Sequence, residues 1–290
     1  MTMEEIRAIT EKYDAQYIES ELGTLEGLNR FALTFYKDVA EIYDCLTRVK
    51  NVERNPCGFS KDDAPVLGLL VRVAKLLKQI IRFYEEDNAE IISVLERPLI
   101  EAAVTATFLM TSSEEVIEDY RRCSYKDRLR LLRDLKDGSP FLDTKAGKRL
   151  LASVEEKLSL ENLTPDDFAL QKKNRWKLQG KTFYQIFSEV EHADLYAATY
   201  GMMSESIHCS WNESLDWSLI RNDDGSFSPF PFHHSVDIRY ISPNLRFTNR
   251  PYRLWLDRID AAEPYLTGQL DWIERVNTAL FMKFDGLYDG

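Results

Sequence analysis

The chain has 290 residues, of which 44% are hydrophobic and 29% are charged, and its formal net charge at pH 7 is −11. A chain of this length and composition can bury a large core, roughly 75% of its extended surface. The acidic balance excludes a protein that is coated uniformly for nucleic-acid binding, although a local basic patch remains compatible with it.

Neither the cysteines nor the apolar segments indicate an extracellular or membrane protein. The cysteines form no Cys-x-x-Cys pair, which argues against a disulfide scaffold and a thiolate zinc site. The acidic first residues lack the apolar stretch of a signal peptide, and Glu101 and Asp194 interrupt the most apolar segments. We therefore expect a cytoplasmic protein without a membrane partner.

Apolar residues recur at intervals of three and four through most of the chain, which is the period of an all-α fold, and strand-like alternation is rare. The pattern predicts helices within residues 2–50, a loop at residues 55–58, and three helices that begin near Ser60, Asp87 and Thr111. The helix after Ser60 has one apolar face, formed by Val66, Leu70, Val73, Leu77 and Ile80.

The second half of the chain continues the helical pattern. We predict a helix over about residues 146–158 and one long helix from Phe183 to about Trp211, in which Gly201 costs only about 1 kcal/mol. Residues 222–243 are rich in Pro, Phe, Ser and Asn, which indicates a turn-rich excursion compatible with a short hairpin before the closing helices. The predicted domains are a helical bundle over residues 1–220 and a second part, residues 221–290, packed on it.

One predicted helix carries a ladder of polar side chains, Tyr196-x-x-x-Tyr200-x-x-x-Ser204-x-x-x-His208. Residues four apart are neighbours on a helix surface, so adjacent members can contact each other. A histidine one turn from a hydroxyl can act as its general base, which predicts catalytic roles for His208 and Ser204 beside ligand-binding Tyr196 and Tyr200. The alternative is a structural hydrogen bond of His208 inside the core.

A second candidate is Arg97-x-x-x-Glu101, two opposite charges one turn apart among apolar residues. Pro98 lies between them, and a proline inside a helix removes a backbone hydrogen bond and bends the axis. We expect this pair to be partly buried, with Glu101 available across the bundle to orient His208 as a third catalytic group. An architectural ion pair between helices is the alternative.

Basic residues form two clusters. The first contains Arg121, Arg122, Lys126, Arg128, Arg130 and Arg133, and the second surrounds Trp176 with Lys172, Lys173, Arg175, Lys177 and Lys181. A tryptophan among cations can stack on a base while the cations contact phosphates, so Lys173, Arg175 and Trp176 are candidate RNA-binding residues. A solvated face balanced by surrounding acids is the alternative.

The spacing Glu-x-x-His occurs twice, at Glu189 and His192 and at Glu205 and His208, and ferritin-like bundles use this spacing for metal ligands. Those sites draw the two motifs from different helices, whereas sixteen residues along one helix would separate these by about 24 Å. We therefore predict no metal site, and no motif indicates a cofactor.

Three strings together resemble a bacterial family of unknown function: ERPLIEA at residues 96–102, DYRRCSYKDRL at 119–129 and YGMMSESIH at 200–208. Members of that family share an Arg-x-x-x-Glu helix and a later Tyr-x-x-x-Ser-x-x-x-His helix, here over residues 60–220. The resemblance implies a helical bundle in a cytoplasmic bacterial protein and carries no established activity.

A more distant similarity is to the HEPN group of helical bundles, many of which are ribonucleases. Those enzymes place an arginine four to six residues before a histidine on one helix. Here Ser204, Met203 and Met202 occupy these positions before His208, so Arg97 would have to supply the cation from another helix.

We thus expect Arg97, Glu101, Ser204 and His208 to converge on an interior site that binds or processes a phosphate-bearing ligand such as RNA or a nucleotide. Arg97 would hold the anion and His208 would transfer a proton. The alternative is a non-enzymatic interaction protein with a structural polar interior, which oligomerises or binds a partner helix through its C-terminal helices. Its aromatic anchors would be Trp255, Tyr265, Trp272 and Phe281.

Overall fold

The computed structural model describes residues 13, 15–136, 138–164, 177–208 and 210–288. These residues form an all-α fold with a small two-stranded antiparallel sheet, as predicted. The helices of the first half are α1 (Ala15–Glu21), α2 (Leu25–Leu46), α3 (Ala64–Glu85), α4 (Ala89–Thr111), α5 (Glu114–Lys136) and α6 (Lys145–Leu160). The second half contains α7 (Phe183–Val190), α8 (Asp194–Tyr196), α9 (Met203–Ile207), α10 (Trp211–Trp217), β1 (Leu219–Arg221), β2 (Phe227–Pro229), α11 (Ser242–Arg258) and α12 (Pro264–Tyr288).

The chain divides into two compact units. Unit 1 contains the residues up to Thr111 and those from Ile186 onward, and unit 2 contains residues 112–185. The predicted division into residues 1–220 and 221–290 stays a prediction.

Helix α4 is the central helix of unit 1, where it packs against α3 and α11. It is buried over most of its circumference because nearly every residue from Leu99 to Leu109 is apolar or small. The predicted apolar face of α3 is confirmed, since all five of its residues are buried. Tyr252 of α11 joins this core by donating its hydroxyl to the carbonyl oxygen of Leu70 at 2.8 Å.

The start of α4 differs in detail from the prediction. Asn88 caps the helix by accepting a hydrogen bond from the backbone N–H of Ile91 at 3.2 Å, whereas we expected Asp87 to open it. Asp87 has a φ of 54°, and its carboxylate accepts instead from the backbone N–H of Val236 at 2.7 Å. The hydroxyl of Ser60 accepts a backbone hydrogen bond as predicted, from the N–H of Asp63 at 3.1 Å, but α3 begins only at Ala64, with Asp63 as its N-cap residue.

The long helix predicted from Phe183 to Trp211 is wrong, since this segment is broken after α7. The carbonyl oxygen of Val190 accepts a hydrogen bond from Arg250 Nη1 at 2.8 Å. Helical structure resumes at Asp194 and passes into a π-helix over Ala197–Gly201. A cap that a distant helix supplies cannot be recognised from local periodicity.

The turn-rich excursion contains the short hairpin that the composition allows. β1 and β2 pair antiparallel in the register Leu219 to Pro229 and Arg221 to Phe227. The turn between them closes with Gly225, whose φ of 84° suits a glycine.

Unit 2 has a small core of its own on α6, where Val154 and Leu158 are buried beside Tyr125 and Leu163. The carboxylate of Asp119 accepts a hydrogen bond from the backbone N–H of Gln179 at 2.6 Å, which ties α5 to the chain before α7. In neither unit do the described residues include a helix whose length and apolar character would let it cross a membrane.

Two of the four aromatic anchors proposed for a partner surface are unavailable. Trp255 is fully buried and Trp272 is only 6% exposed, so both belong to the core of unit 1. Tyr265 and Phe281 are partly exposed. Large aromatic residues on amphipathic helices fill cores as readily as interfaces, and the sequence pattern does not separate these two uses.

Candidate functional site

The structure brings together site residues from two distant segments of unit 1. Arg97 and Glu101 lie on α4, and α9 with the preceding π-helix packs against it. Arg97 Nη1 is 3.5 Å from His208 Nε2, and the hydroxyl of Tyr200 donates to Glu101 Oε2 at 2.9 Å. These four side chains form what we call the Arg97–His208 site.

Tyr200 connects the two charges of α4. The guanidinium carbon of Arg97 lies 4.5 Å from the centre of the Tyr200 ring, while the Tyr200 hydroxyl binds Glu101. Burial raises the pKa of Tyr200 above its ordinary value, and the carboxylate of Glu101 raises it further against the opposing effect of Arg97. The phenol therefore remains protonated and donates to Glu101.

A π-helix places Tyr200 in this position. The backbone N–H of Met202 donates to the carbonyl oxygen of Ala197, five residues earlier, at 3.2 Å. At Gly201 a side-chain Cβ would lie 3.2 Å from the carbonyl oxygen of Tyr196, a close contact that glycine avoids. Single π-helical turns occur frequently at functional sites, because they shift side chains out of the regular helical phase.

The site lies at the surface, so the expectation of an interior site is wrong. Tyr200 is 4% exposed, but Arg97 is partly exposed and Glu101 and His208 are exposed. The reason is helical phase, since Leu99, Ile100 and Ala103 take the buried positions of α4. Ligands from solution can therefore reach Arg97 and His208 directly.

The side chains of Ser204 and Tyr196, the other two members of the ladder, contact Tyr200. The hydroxyl of Ser204 donates to the backbone carbonyl of Tyr200 at 3.1 Å, and its predicted role as a nucleophile stays a prediction. The ring of Tyr196 packs against Tyr200 with 5.4 Å between centroids, and against Phe187 at the same distance. Tyr196 therefore packs against the same Tyr200 ring that Arg97 contacts.

The profile of a family of unknown function, DUF5677, matches residues 63–227, which is more than half of the chain. The chain belongs to this family. The matched region runs from the start of α3 to β2 and includes Arg97, Glu101, Tyr200 and His208. No curated protein matches the chain, and no solved structure does.

Three predicted binding residues of this DUF5677 chain, Lys173, Arg175 and Trp176, lie outside the described residues, as do the side chains of residues 126–136. Of the first basic cluster, Arg121 and Arg122 both pair with the carboxylate of Glu118. In the described part of the chain, no group of three or more His, Cys, Asp or Glu is placed to hold a metal ion.

The sequence reasoning missed one unusual group of the DUF5677 region, the carboxyl of Glu96. It is 7% exposed and accepts a hydrogen bond from Asn244 Nδ2 of α11 at 2.9 Å. Burial raises the pKa of Glu96 to about 8, although the bond from Asn244 opposes the shift. Its spacing from Ile92 and Leu99, both buried, is the signal that could have revealed it.

Proposed function

We propose that the Arg97–His208 site binds a phosphate group of RNA or of a nucleotide, and that His208 transfers a proton there. The observation that supports this most is the pairing of a stacked guanidinium with an imidazole 3.5 Å away, both accessible from solution. Guanidinium and imidazolium groups both donate hydrogen bonds to phosphate oxygens.

The stacking contact prepares Arg97 for an anion. The contact of the guanidinium with the Tyr200 ring orders a flexible side chain before any ligand arrives, so less entropy is lost on binding. Glu101, one turn away on α4, is hydrogen-bonded to Tyr200, and no carboxylate of the described residues pairs with Arg97. The positive charge of Arg97 is therefore available to a ligand.

The imidazole of His208 supplies the proton chemistry. A phosphate oxygen between Arg97 Nη1 and His208 Nε2 would accept from both once His208 is protonated. In RNA, neutral His208 takes the proton of a 2′-hydroxyl, whose oxygen attacks the adjacent phosphorus and breaks the bond to the 5′-oxygen. The 5′-oxygen leaves with a proton from the imidazolium, while Arg97 stabilises the charge on the phosphoryl oxygens.

The finer features of the family resemblance belong to the same proposal. A HEPN-like ribonuclease would here use Arg97 of α4 in place of an arginine on the histidine's own helix, in a cytoplasmic bacterial protein. RNA contact by Lys173, Arg175 and Trp176 stays a separate prediction from the sequence. An oligomer through the C-terminal helices would have to use Tyr265 and Phe281.

The chain offers a matched control for testing Arg97. Arg239 also stacks on an aromatic ring, that of Tyr288 at 4.9 Å, but it is paired with Asp237 at 2.6 Å. We expect Arg97→Ala to weaken binding of a fluorescent oligoribonucleotide at least about tenfold and Arg239→Ala to leave it unchanged. His208→Ala should abolish cleavage, and equal binding and cleavage by all variants would rule the proposal out.

A further inference from the structure

A groove between α11 and α12 forms a second candidate site in unit 1. Its volume is about 700 Å³, within the range of small-molecule sites. The residues that line it are described throughout and include none of the Arg97–His208 site. They combine three arginines, two glutamates and several apolar side chains, so the groove is not a simple apolar cleft.

Two of the three arginines already have partners. Arg250 donates to the carbonyl oxygen of Val190 at 2.8 Å and lies 3.8 Å from Glu191, and Arg253 pairs with Asp271. Arg246 lies on the same face of α11, four residues before Arg250, and its side chain is exposed. It makes no hydrogen bond or ion pair within 4.0 Å with any residue that the structure describes. Its charge does act on Glu191, where burial raises the pKa of the carboxyl and the charges of Arg250 and Arg246 oppose that shift.

A glutamate without a partner faces Arg246 across the groove. Asn277 Nδ2 donates to the carbonyl oxygen of Ser242 at 3.0 Å, and Asn249 Nδ2 donates to that of Leu270 at 2.8 Å. This antiparallel register places position 246 of α11 opposite positions 273–274 of α12.

Glu274 is exposed, lines the groove and likewise makes no ion pair or hydrogen bond within the described part of the chain. Its carboxylate oxygens are more than 4.0 Å from the nitrogens of Arg246. The groove thus presents a cation and an anion that do not neutralise each other.

We propose that this groove binds a small zwitterionic ligand, with an acid group on Arg246 and an amine on Glu274. The acid group is a carboxylate or a phosphate, since a guanidinium binds either in the same way. Phe281 lines the groove and is partly exposed, so it offers an apolar surface to the body of the ligand, above the buried Leu245 and Ile273. A ligand with one charge would compensate only one of the two facing groups.

Isothermal titration of the full chain with four probes tests the proposal. L-phenylalanine and O-phosphoethanolamine carry both charges, with a carboxylate and a phosphate respectively. L-phenylalaninamide lacks the acid and N-acetyl-L-phenylalanine lacks the amine. We expect at least one zwitterion to bind, and phenylalanine, where it binds, to do so at least about tenfold more tightly than its single-charge analogues. Binding of the phosphate probe alone would identify phosphate as the acid group.

Variants connect the binding to the groove. Arg246→Gln and Glu274→Gln should each lower the affinity for the zwitterion at least about tenfold. Arg275 is an exposed residue of α12 outside the groove, so Arg275→Gln should leave the affinity unchanged. Thr278→Trp fills the groove from an exposed position, so it should block binding without lowering the melting temperature. Failure of both zwitterions to bind, or equal affinity in the Arg246, Glu274 and Arg275 variants, would overturn the proposal.

Discussion

The phenol of Tyr200 separates Arg97 from Glu101. Its ring lies under the guanidinium at 4.5 Å, and its hydroxyl donates to the Glu101 carboxylate at 2.9 Å. An Arg-x-x-x-Glu pair on one helix ordinarily contacts directly, as residues four apart do. Here the tyrosine hydroxyl donates a hydrogen bond to the carboxylate, so the charge of the arginine stays available to a ligand.

Removing the hydroxyl of Tyr200 should therefore weaken the anion site while leaving the ring in place. In Tyr200→Phe the Glu101 carboxylate is released and can pair with Arg97 one turn away, so we expect a several-fold loss of affinity for a labelled oligoribonucleotide. Adding Glu101→Gln to Tyr200→Phe should restore it. Unchanged binding in the single variant would show that Tyr200 acts through its ring alone.

Phosphate binding should depend on the imidazole of His208, because its Nε2 lies 3.5 Å from Arg97 Nη1 and can donate to the same phosphate oxygen. Fluorescence anisotropy of a labelled nucleotide measures this. His208→Ala should weaken binding several-fold, whereas His233→Ala, in the segment before α11, should not change it. Equal affinity with and without His208 would contradict its role.

More of the fold than of the site could be predicted from the sequence. Periodicity located α3 and α4, and α4 ends at Thr111, near the predicted stop. Composition located the hairpin, whose turn closes with Gly225. The prediction of a long helix from Phe183 was wrong, because the chain leaves the helix after Val190, whose carbonyl oxygen binds Arg250, sixty residues later in the chain. Such a long-range contact cannot be predicted from the local sequence.

Within the site, polar residues four apart in apolar surroundings sufficed to select Arg97, Glu101, Tyr200 and His208. The insertion of Tyr200 between the two charges could not be predicted, because it depends on a π-helix and on how α9 packs against α4. Glu96 was passed over because a carboxylate is rarely buried, although its spacing matched the buried face of α4.

The buried carboxyl of Glu96 should make stability depend on pH. Its pKa is about 8 in the folded chain against 4.5 as the ordinary value, so between these values the folded state holds a proton that the unfolded state has lost. Stability is then greatest below about pH 4.5 and falls as the pH rises toward 8, by at most about 1.4 kcal/mol per pH unit from this group.

Glu96→Gln should remove that slope and raise stability near pH 8, because the amide oxygen can still accept from Asn244. Urea denaturation at pH 5, 6, 7 and 8 measures it, with the exposed Glu263→Gln as the control. A slope that persists in Glu96→Gln would mean that another group causes it.

The cap of α7 provides a test of the break in the predicted long helix. Arg250→Gln leaves the Val190 carbonyl without its donor and should lower the free energy of unfolding by about 1–3 kcal/mol. Arg246→Gln, on the same face of α11 but without a partner among the described residues, should cost much less. Equal effects of the two substitutions would show that the bond to Val190 contributes little.

Nuclear magnetic resonance of the His208 imidazole nitrogens during titration with adenosine monophosphate tests the central claim most directly. The chain has four histidines, and His208→Gln assigns the signal. We predict that Nε2 of His208 shifts saturably in the native chain and that Arg97→Ala abolishes this shift while Arg239→Ala does not. A His208 signal that stays unmoved by the nucleotide, or that shifts equally in Arg97→Ala, would contradict a phosphate site shared by these two residues.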